Sequence, residues 1–362
     1  MQKTGKLRSS LRIILVITGK DILDSVRNKT ILSLLVTALF LSAFFTIMPK
    51  LSDSGSPLVF LSDSGDSSSM SLLTRSDAFR LRTYPSTEKM KADFIQRADN
   101  QIALVLPADF DQTLASGGIP RIQGYVLNWV NSKTIAEKKD TLQTKLTSIL
   151  GSPVQIDMNG GTLFMSPESN GGLLEATGIV IILITTGMSL VPNLFLEEKR
   201  TRTMEALQVS PANSNQIAIS KTLTGVFYVA IFAALVMAAN AYLVLHWSVA
   251  VWSILLSILV SVSIGLLLGI LIENRQQIII TSQVLLIPLI LPILLRIFSD
   301  LLPGWLTDII RWFPSAAMFD LLRISFSNQS DPSMYLPRMG ILAICFIGLF
   351  GISARLIRRV ER

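Results

Sequence analysis

The sequence predicts an α-helical polytopic membrane protein with six transmembrane helices and a small extracellular α/β domain between the first and the second. Three observations lead to this fold class. Of the 362 residues, 50% are hydrophobic and 16% are charged, whereas soluble domains average about 25% charged residues. Apolar runs of the roughly 20 residues that a spanning helix requires recur along the chain. A single long polar segment, residues 49–172, separates the first run from the others.

The apolar runs place the spans in a one-plus-five arrangement. The first run is too long for a signal peptide, and no A-x-A cleavage site follows it, so we predict an uncleaved helix. The uncharged run from Thr222 to Ile272 would be about 75 Å long as one helix, so it must turn. The interfacial preferences of His246 and Trp247 favour a turn there. The predicted spans are 31–48, 173–196, 222–245, 249–272, 276–296 and 339–355.

The distribution of lysine and arginine orients these spans. Basic residues concentrate in residues 1–30, in the loop 197–221 and in the tail 356–362, and positive loops mark the cytoplasmic side. Both termini are therefore expected in the cytoplasm of a multi-pass protein of the plasma membrane, the inner membrane of a bacterium. Residues 1–30 are predicted to be a positively charged flank of the first span and to form an amphipathic interfacial helix, or two short ones, that leads into it. Its apolar side would carry Leu11, Ile14, Leu15, Ile22, Leu23 and Val26.

The polar segment 49–172 alternates between strand and helix patterns, which is typical of a small α/β domain. Strands are predicted at Pro57–Leu61, Gln101–Leu106, Arg121–Val126 and Val154–Met158. Helices are predicted at Lys89–Ala98, Asp109–Ser116 and Ser132–Leu150. Residues 297–338 also lie outside in this topology. Their helical apolar period, interrupted by charges and prolines, predicts two short helices that enter the outer leaflet or pack on its surface.

The chain offers little material for catalysis. It has one histidine and one cysteine, and it contains neither a P-loop nor a G-x-S-x-G motif. The uncharged runs within the predicted spans contain no carboxylate that could relay protons, since Glu175 and Glu197 stand at the ends of the second run. The net charge of +7 is explained by the basic cytoplasmic loops, so we expect no nucleic-acid partner. These absences argue against an enzyme, a metal site and an autonomous ion-coupled transporter.

A charged segment, residues 197–211, follows the second span directly. It is predicted to form a short amphipathic helix, and its alternative is a solvated loop. The stretch EEKRTRTMEALQVSPANSNQIAISK resembles the signature of the ABC-2 type exporter permeases. The matching residues are Glu197, Glu198, Lys199, Thr203, Glu205, Leu207, Ser210, Pro211 and, at the start of the next span, Lys221. Arg202 stands where the family has glycine.

Three further segments resemble the same family. Residues 104–126, with Pro107 and Phe110, resemble its extracellular strand–helix–strand unit. Residues 271–277 resemble its short loop between the fourth and fifth spans, and residues 312–323 resemble its outer helix. The resemblance covers essentially the whole chain, including the one-plus-five topology.

The resemblance implies a non-catalytic permease subunit of an ATP-binding cassette exporter. ATP and Mg would be bound by a separate ATPase subunit, and no cofactor is expected on this chain. The segment 197–211 would be the coupling helix that docks into the ATPase. Its expected contact residues are Glu197, Glu198, Lys199, Arg200, Arg202, Thr203, Met204, Glu205, Leu207, Ser210 and Pro211. Glu198 and Arg202 are also spaced for an ion pair within the helix.

The resemblance also implies a second permease subunit, either a copy or a paralogue, with the transport path between the two. The second and fifth spans would line it. Pro288 and Pro292 would kink the fifth span or serve packing alone, and Arg296 would attract anionic cargo or snorkel to the interface. The small residues Gly265 and Gly269 favour helix packing within the chain over dimerisation.

The large outer domain favours export of a drug, sodium or another small molecule over export of a polysaccharide, and family cargoes also include lipids. The alternative is a membrane sensor that binds its ligand through the outer domain. Against a sensor, the chain has no cytoplasmic output domain.

Overall fold

A computed structural model describes most of the chain. The described residues are 12–23, 33, 36–37, 39–40, 43–44, 58–65, 67–76, 79–97, 101–167, 169, 172–201, 214–298 and 302–360. The chain divides into two compact units, which we call the helical unit and the α/β unit. The helical unit comprises Met1–Thr46, Leu174–Ser325 and Ser330–Arg362, and the α/β unit comprises Ile47–Leu173 and Phe326–Gln329. The N-terminal helix, residues 12–23, is α1.

The α/β unit alternates strands and helices. In chain order they are β1 (Leu58–Asp63), α2 (Ser69–Arg75), β2 (Arg80–Tyr84), α3 (Thr87–Arg97), β3 (Ala103–Leu106), α4 (Phe110–Ala115), β4 (Arg121–Leu127), α5 (Ser132–Leu150), β5 (Gln155–Asp157) and β6 (Thr162–Leu163). The strand order is β2-β1-β3-β4-β5, with β6 paired to β4. Only the β3–β4 pairing is antiparallel.

Apolar side chains pack on both faces of the sheet, since successive side chains of β1 point in opposite directions. Val59 and Leu61 join the apolar core that includes Leu142 and Leu146 of α5. Phe60 packs on the other face, with its ring centroid 5.0 Å from that of Phe94 in α3. The result is a sheet between helices, as the alternating sequence pattern predicts.

The elements predicted in this unit are present, and three elements were not predicted: β2, α2 and the two-residue strand β6. The predicted strands correspond to β1, β3, β4 and β5, and the predicted helices correspond to α3, α4 and α5. The edge strand β2 was missed because its sequence, RLRTY, is mostly polar. The short helix α2 was missed because its serine-rich start resembles a loop. Its first turn instead depends on a side chain from α4.

That side chain is Asp111, which lies in α4 and binds the beginning of α2. Its Oδ2 accepts hydrogen bonds from the backbone N–H and the hydroxyl of Ser68, at 2.6 and 2.7 Å. Its Oδ1 accepts one from the Ser69 hydroxyl at 2.5 Å. The bonds from Ser69 and Ser68 lower the pKa of Asp111 below its ordinary value of 3.8. Bonds to the ionised form therefore favour the folded state.

We expect Asp111→Ala to lower the stability of the chain at neutral pH, by about 1 kcal/mol because the site is partly solvated. A carboxylate whose pKa is lowered on folding contributes its full stabilisation above the unfolded value, and this is lost as the pH falls through the folded value. The difference from the wild type should therefore shrink as the pH falls from 7 to below 3.8. Thermal unfolding followed by circular dichroism measures it. Asp109→Ala, at an exposed neighbour, is the control, and an equal loss there would contradict the prediction.

In the described part of the helical unit, α1 and the helical residues within 33–44 precede seven further helices. They are α6 (Leu173–Thr201), α7 (Ser214–Ala239), α8 (Trp247–Leu271), α9 (Arg275–Ile297), α10 (Gly304–Ile310), α11 (Pro314–Phe326) and α12 (Pro332–Val360). Among the described residues, five helices are long and apolar enough to cross a membrane: α6, α7, α8, α9 and α12. The chain is thus consistent with a multi-pass membrane protein. Most of the predicted first span, 31–48, lies outside the described residues, and those described within it are helical.

Several boundaries differ from the predicted ones. The helix α7 ends at Ala239, and a 3-10 turn, Ala241–Leu243, follows it before the predicted end of the span. The last helix begins at Pro332, before the predicted 339. Proline is favoured in the first turn of a helix, so Pro332 starts α12 where the sequence interpretation placed an outer segment. Within 297–338, the two short helices are α10 and α11.

A close contact between α6 and α8 forms the centre of the helical unit. Small residues recur on α8 every four positions, and side chains at this spacing share one helix face. They are Ser253, Ser257, Ser261, Gly265 and Gly269. A Cβ atom at Gly187 of α6 would lie 2.7 Å from the backbone carbon of Ser261, so the two backbones touch. Gly265 and Gly269 therefore pack against α6 of the same chain, as the sequence favours.

Candidate functional site

The first residues of the predicted coupling segment continue α6. This helix runs unbroken from Leu173 to Thr201, past the end of its apolar span at Leu196. Glu197, Glu198, Lys199 and Arg200 therefore lie on a helix that extends from the membrane span. The other predicted contact residues, Arg202, Thr203, Met204, Glu205, Leu207, Ser210 and Pro211, lie outside the described residues.

The first turns of α7, the helix that follows the coupling segment in the chain, contain a buried ion pair. The Lys221 Nζ lies 2.6 Å from the Asp21 Oδ2 of α1. Both residues are almost completely enclosed, with 1% of Lys221 and 7% of Asp21 exposed. Lysine and aspartate are rarely buried unless they are paired, so this contact fixes α1 against α7. We call it the α1–α7 clamp.

Two further hydrogen bonds belong to the clamp. The Thr18 hydroxyl donates to the Ser220 carbonyl at 3.4 Å. The Tyr228 hydroxyl, two turns farther along α7, donates to the Ile22 carbonyl at 2.5 Å. These contacts join two segments that are about 200 residues apart in sequence, and they lie immediately after the coupling segment. A displacement of the first turns of α7 would therefore move α1 as well.

One face of α1 packs against the rest of the helical unit. Ile14, Ile17, Thr18 and Asp21 are buried, at the three- and four-residue spacing of one helix face. Leu15, Val16 and Leu23 are exposed instead. Of the residues predicted on the apolar side of this segment, Ile14 is thus buried within the unit, whereas Leu15 and Leu23 are exposed. The exposed side of α1 therefore combines apolar side chains with Arg12 and Lys20, a mixture that suits a helix lying in a membrane interface.

A second charged cluster joins α9, α11 and α12 at the C-terminal end of α9. The Arg296 Nε donates to one Asp320 oxygen at 3.0 Å, and the Arg338 Nε donates to the other at 2.9 Å. Asp320 belongs to α11, and Arg338 belongs to α12 and also donates to the Met334 carbonyl. Arg296 is thus the one predicted path residue with a defined polar partner. Its ion pair with Asp320 was not anticipated.

The two predicted path prolines lie within α9, which continues through both of them. Pro288 is exposed and Pro292 is buried. The described side chains of α6 are mostly buried within the unit, whereas α9 exposes Ile279, Ile280 and Val284. In the described part of the chain, no group of three or more histidine, cysteine, aspartate or glutamate residues could hold a metal ion.

Comparison with known protein families identifies the family of this chain. The model of the family described as "ABC-2 family transporter protein" matches residues 29–355. The chain belongs to the ABC-2 transporter family. No curated protein and no solved structure matches it. The predicted resemblance is therefore confirmed at the level of the family.

ABC-2 permeases are membrane subunits that are not catalytic themselves, and the family implies an ATP-binding cassette ATPase as the partner. In this ABC-2 chain, the span α6 leads without interruption into the charged residues of the signature. Lys221, the last residue of the signature, forms the α1–α7 clamp. The sequence signature therefore runs from the charged extension of the span α6 to α7, the helix that the α1–α7 clamp holds.

Proposed function

We propose that this ABC-2 chain is the permease subunit of an exporter, coupled through residues 197–211 to a separate ATPase subunit that binds ATP and Mg. The observation that supports this most is the continuity of α6 from Leu173 to Thr201. A helix without a break transmits a displacement at one end to the other as a rigid body. Movement of the ATPase would thereby reach the membrane span directly.

The α1–α7 clamp gives this coupling a second connection. In the proposed mechanism, the segment 197–211 docks into the ATPase, and α1 lies along the cytoplasmic face of the membrane. Lys221 follows the segment in sequence and is held by Asp21 at 2.6 Å. Closure of the ATPase subunits would therefore tilt α6 and displace α7 together with α1. Both termini would be cytoplasmic, and the α/β unit would be extracellular, in the plasma membrane of a bacterium.

The transport path would lie between two permease subunits, identical or paralogous. The helix α9 supports this arrangement because it exposes an apolar face, including Val284, Ile287 and Leu291. The sequence interpretation also assigned α6 to the path, and the burial of α6 within its own unit makes α9 the larger contributor. Cargo would be a small molecule, a drug, an ion or a lipid, moved outwards.

Co-purification tests the coupling. A tagged chain is expressed with the candidate ATPase, a P-loop protein encoded by an adjacent reading frame, and extracted in mild detergent. The wild type should retain the ATPase. The variant Glu198→Ala/Arg202→Ala/Glu205→Ala should retain at least about tenfold less ATPase than the wild type. The loss of charged contacts worth about 1.4 kcal/mol is sufficient for that change.

The matched control changes an exposed ion pair in the α/β unit. Lys133 and Glu137 lie 4.0 Å apart with most of each side chain exposed, so Lys133→Ala/Glu137→Ala should retain the ATPase. Normal retention by the triple variant would remove residues 197–211 from the contact. Failure of the wild type to retain any ATPase would favour the alternative, a membrane sensor, and the α/β unit would then be tested for ligands.

A further inference from the structure

The cluster of Arg296, Asp320 and Arg338 holds more positive than negative charge. One carboxylate is shared by two guanidinium groups, and each of its oxygens is engaged by one Nε atom. Asp320 is buried, while the side chains of Arg296 and Arg338 are 22% and 24% exposed. The cluster therefore combines a net charge of about +1 with partial exclusion of water, which makes an anionic ligand favourable.

The guanidinium groups also keep unused donors. Among the described residues, the two terminal Nη atoms of Arg296 and the Nη2 atom of Arg338 have no hydrogen-bond acceptor. Neither side chain is fully enclosed, so these N–H groups can be reached from outside the protein. A planar guanidinium with two free terminal donors suits a tetrahedral oxyanion such as phosphate, which it can bind through two bonds at once.

The surroundings place the cluster at the level of lipid head groups. Arg296 lies in the last turn of α9, a spanning helix of about 34 Å, and so at the membrane boundary. Exposed aromatic side chains follow it: Phe298, Trp305, Trp312 and Phe313. Exposed tryptophan is typical of the membrane interface. The exposed Leu294 and Leu336 lie two residues from Arg296 and Arg338 and could contact acyl chains.

We propose that Arg296 and Arg338, held in place by Asp320, form a binding site for the phosphate group of a membrane phospholipid. Asp320 acts as a positioning residue that fixes both guanidinium groups through their Nε atoms. Arg296 and Arg338 donate their remaining N–H groups to the phosphate, and the apolar surface beside them holds the acyl chains. The site does not depend on the coupling to an ATPase.

The test measures lipid binding to the full-length chain in neutral detergent by thermal unfolding. The probes are dioleoylphosphatidylglycerol, dioleoylglycerol without the phosphate, and inorganic phosphate. The first should raise the unfolding midpoint in a saturable manner, and the other two should not. Arg296→Gln should weaken the apparent affinity for phosphatidylglycerol about tenfold, because it removes a charged, two-bond contact. It leaves the Asp320–Arg338 pair intact, so the fold should persist.

Two further variants make the outcome decisive. Arg296→Lys keeps the charge but not the planar fork, so its affinity should lie between those of the wild type and Arg296→Gln, even if the glutamine variant folds poorly. Arg311→Gln alters an exposed arginine paired with Asp308 and should bind like the wild type. Equal affinity of the wild type and Arg296→Gln would overturn the proposal. So would an equal response to dioleoylglycerol, or a response to inorganic phosphate alone, which would indicate a site for free anions.

Discussion

Replacing Gly265 with alanine is expected to destabilise the helical unit by more than about 2 kcal/mol, through a single added methyl group. A Cβ atom at this position would overlap the Gly187 carbonyl oxygen of α6 and lie 3.0 Å from the Val191 Cβ. A backbone oxygen cannot move aside as the end of a flexible side chain can. The two helices would have to separate, with loss of the packing that holds spans together where lipid is as apolar as the protein.

The matched control is Gly348→Ala in α12. Its added Cβ would meet no atom within 4 Å, and alanine is the better helix former by about 1 kcal/mol. This variant should be as stable as the wild type or more so. Thermal unfolding in detergent, together with the monodisperse fraction on size-exclusion chromatography, compares the two. Wild-type stability of Gly265→Ala would show that α6 and α8 do not pack as closely as described.

Removing one partner of the α1–α7 clamp should have an effect of similar or greater size. Lys221→Ala leaves the buried Asp21 carboxylate without the ammonium group 2.6 Å away, a loss of the kind that costs about 3–5 kcal/mol. Asp21→Ala removes the same contact from the buried Lys221. Asp21→Ala/Lys221→Ala removes both charges, so it should be less destabilised than the sum of the single variants. The difference is the coupling free energy of the pair in a double-mutant cycle, measured by thermal unfolding of the full chain.

Hydrogen exchange locates the effect of these variants. In the single variants, the amides of residues 12–23 should lose protection before those of α8, since the clamp fastens α1. Lys133→Ala serves as the control because its partner Glu137 is exposed, and surface pairs contribute about 0–1 kcal/mol. Additive effects of Asp21→Ala and Lys221→Ala, with no change in exchange over residues 12–23, would contradict the clamp.

Local patterns were sufficient to predict most elements of this protein. Uncharged runs located α6 to α9, and the alternation of strand and helix patterns located β1, β3, β4 and β5. The signals are strong because membrane spans and sheet cores need long, regular apolar patterns. The elements that were not predicted are those that form through tertiary contacts and not through a local sequence pattern. The polar edge strand β2 is stabilised by pairing with β1, and α2 begins on the Asp111 carboxylate of α4.

The charged contacts could not be predicted for a different reason. Asp21 and Lys221 lie about 200 residues apart, and Arg296, Asp320 and Arg338 lie on three helices. A single sequence contains no information on which distant charges meet. Asp21 did offer one signal, because it shares a helix face with Ile14 and Ile17. A charged residue on an otherwise apolar face indicates a buried partner, and Lys221 already stood out through the family signature.

If this permease receives motion from a separate ATPase through residues 197–211, as we propose, the chain should alter the rate at which that ATPase works. The most direct test is the rate of ATP hydrolysis by the ATPase, alone and in complex with the chain, in lipid nanodiscs. We expect the wild-type chain to change this rate several-fold. Glu198→Ala/Arg202→Ala/Glu205→Ala should return it to the value of the ATPase alone, while Lys133→Ala/Glu137→Ala should behave as the wild type. An ATPase whose rate is the same with and without the wild-type chain would contradict the proposed coupling through residues 197–211.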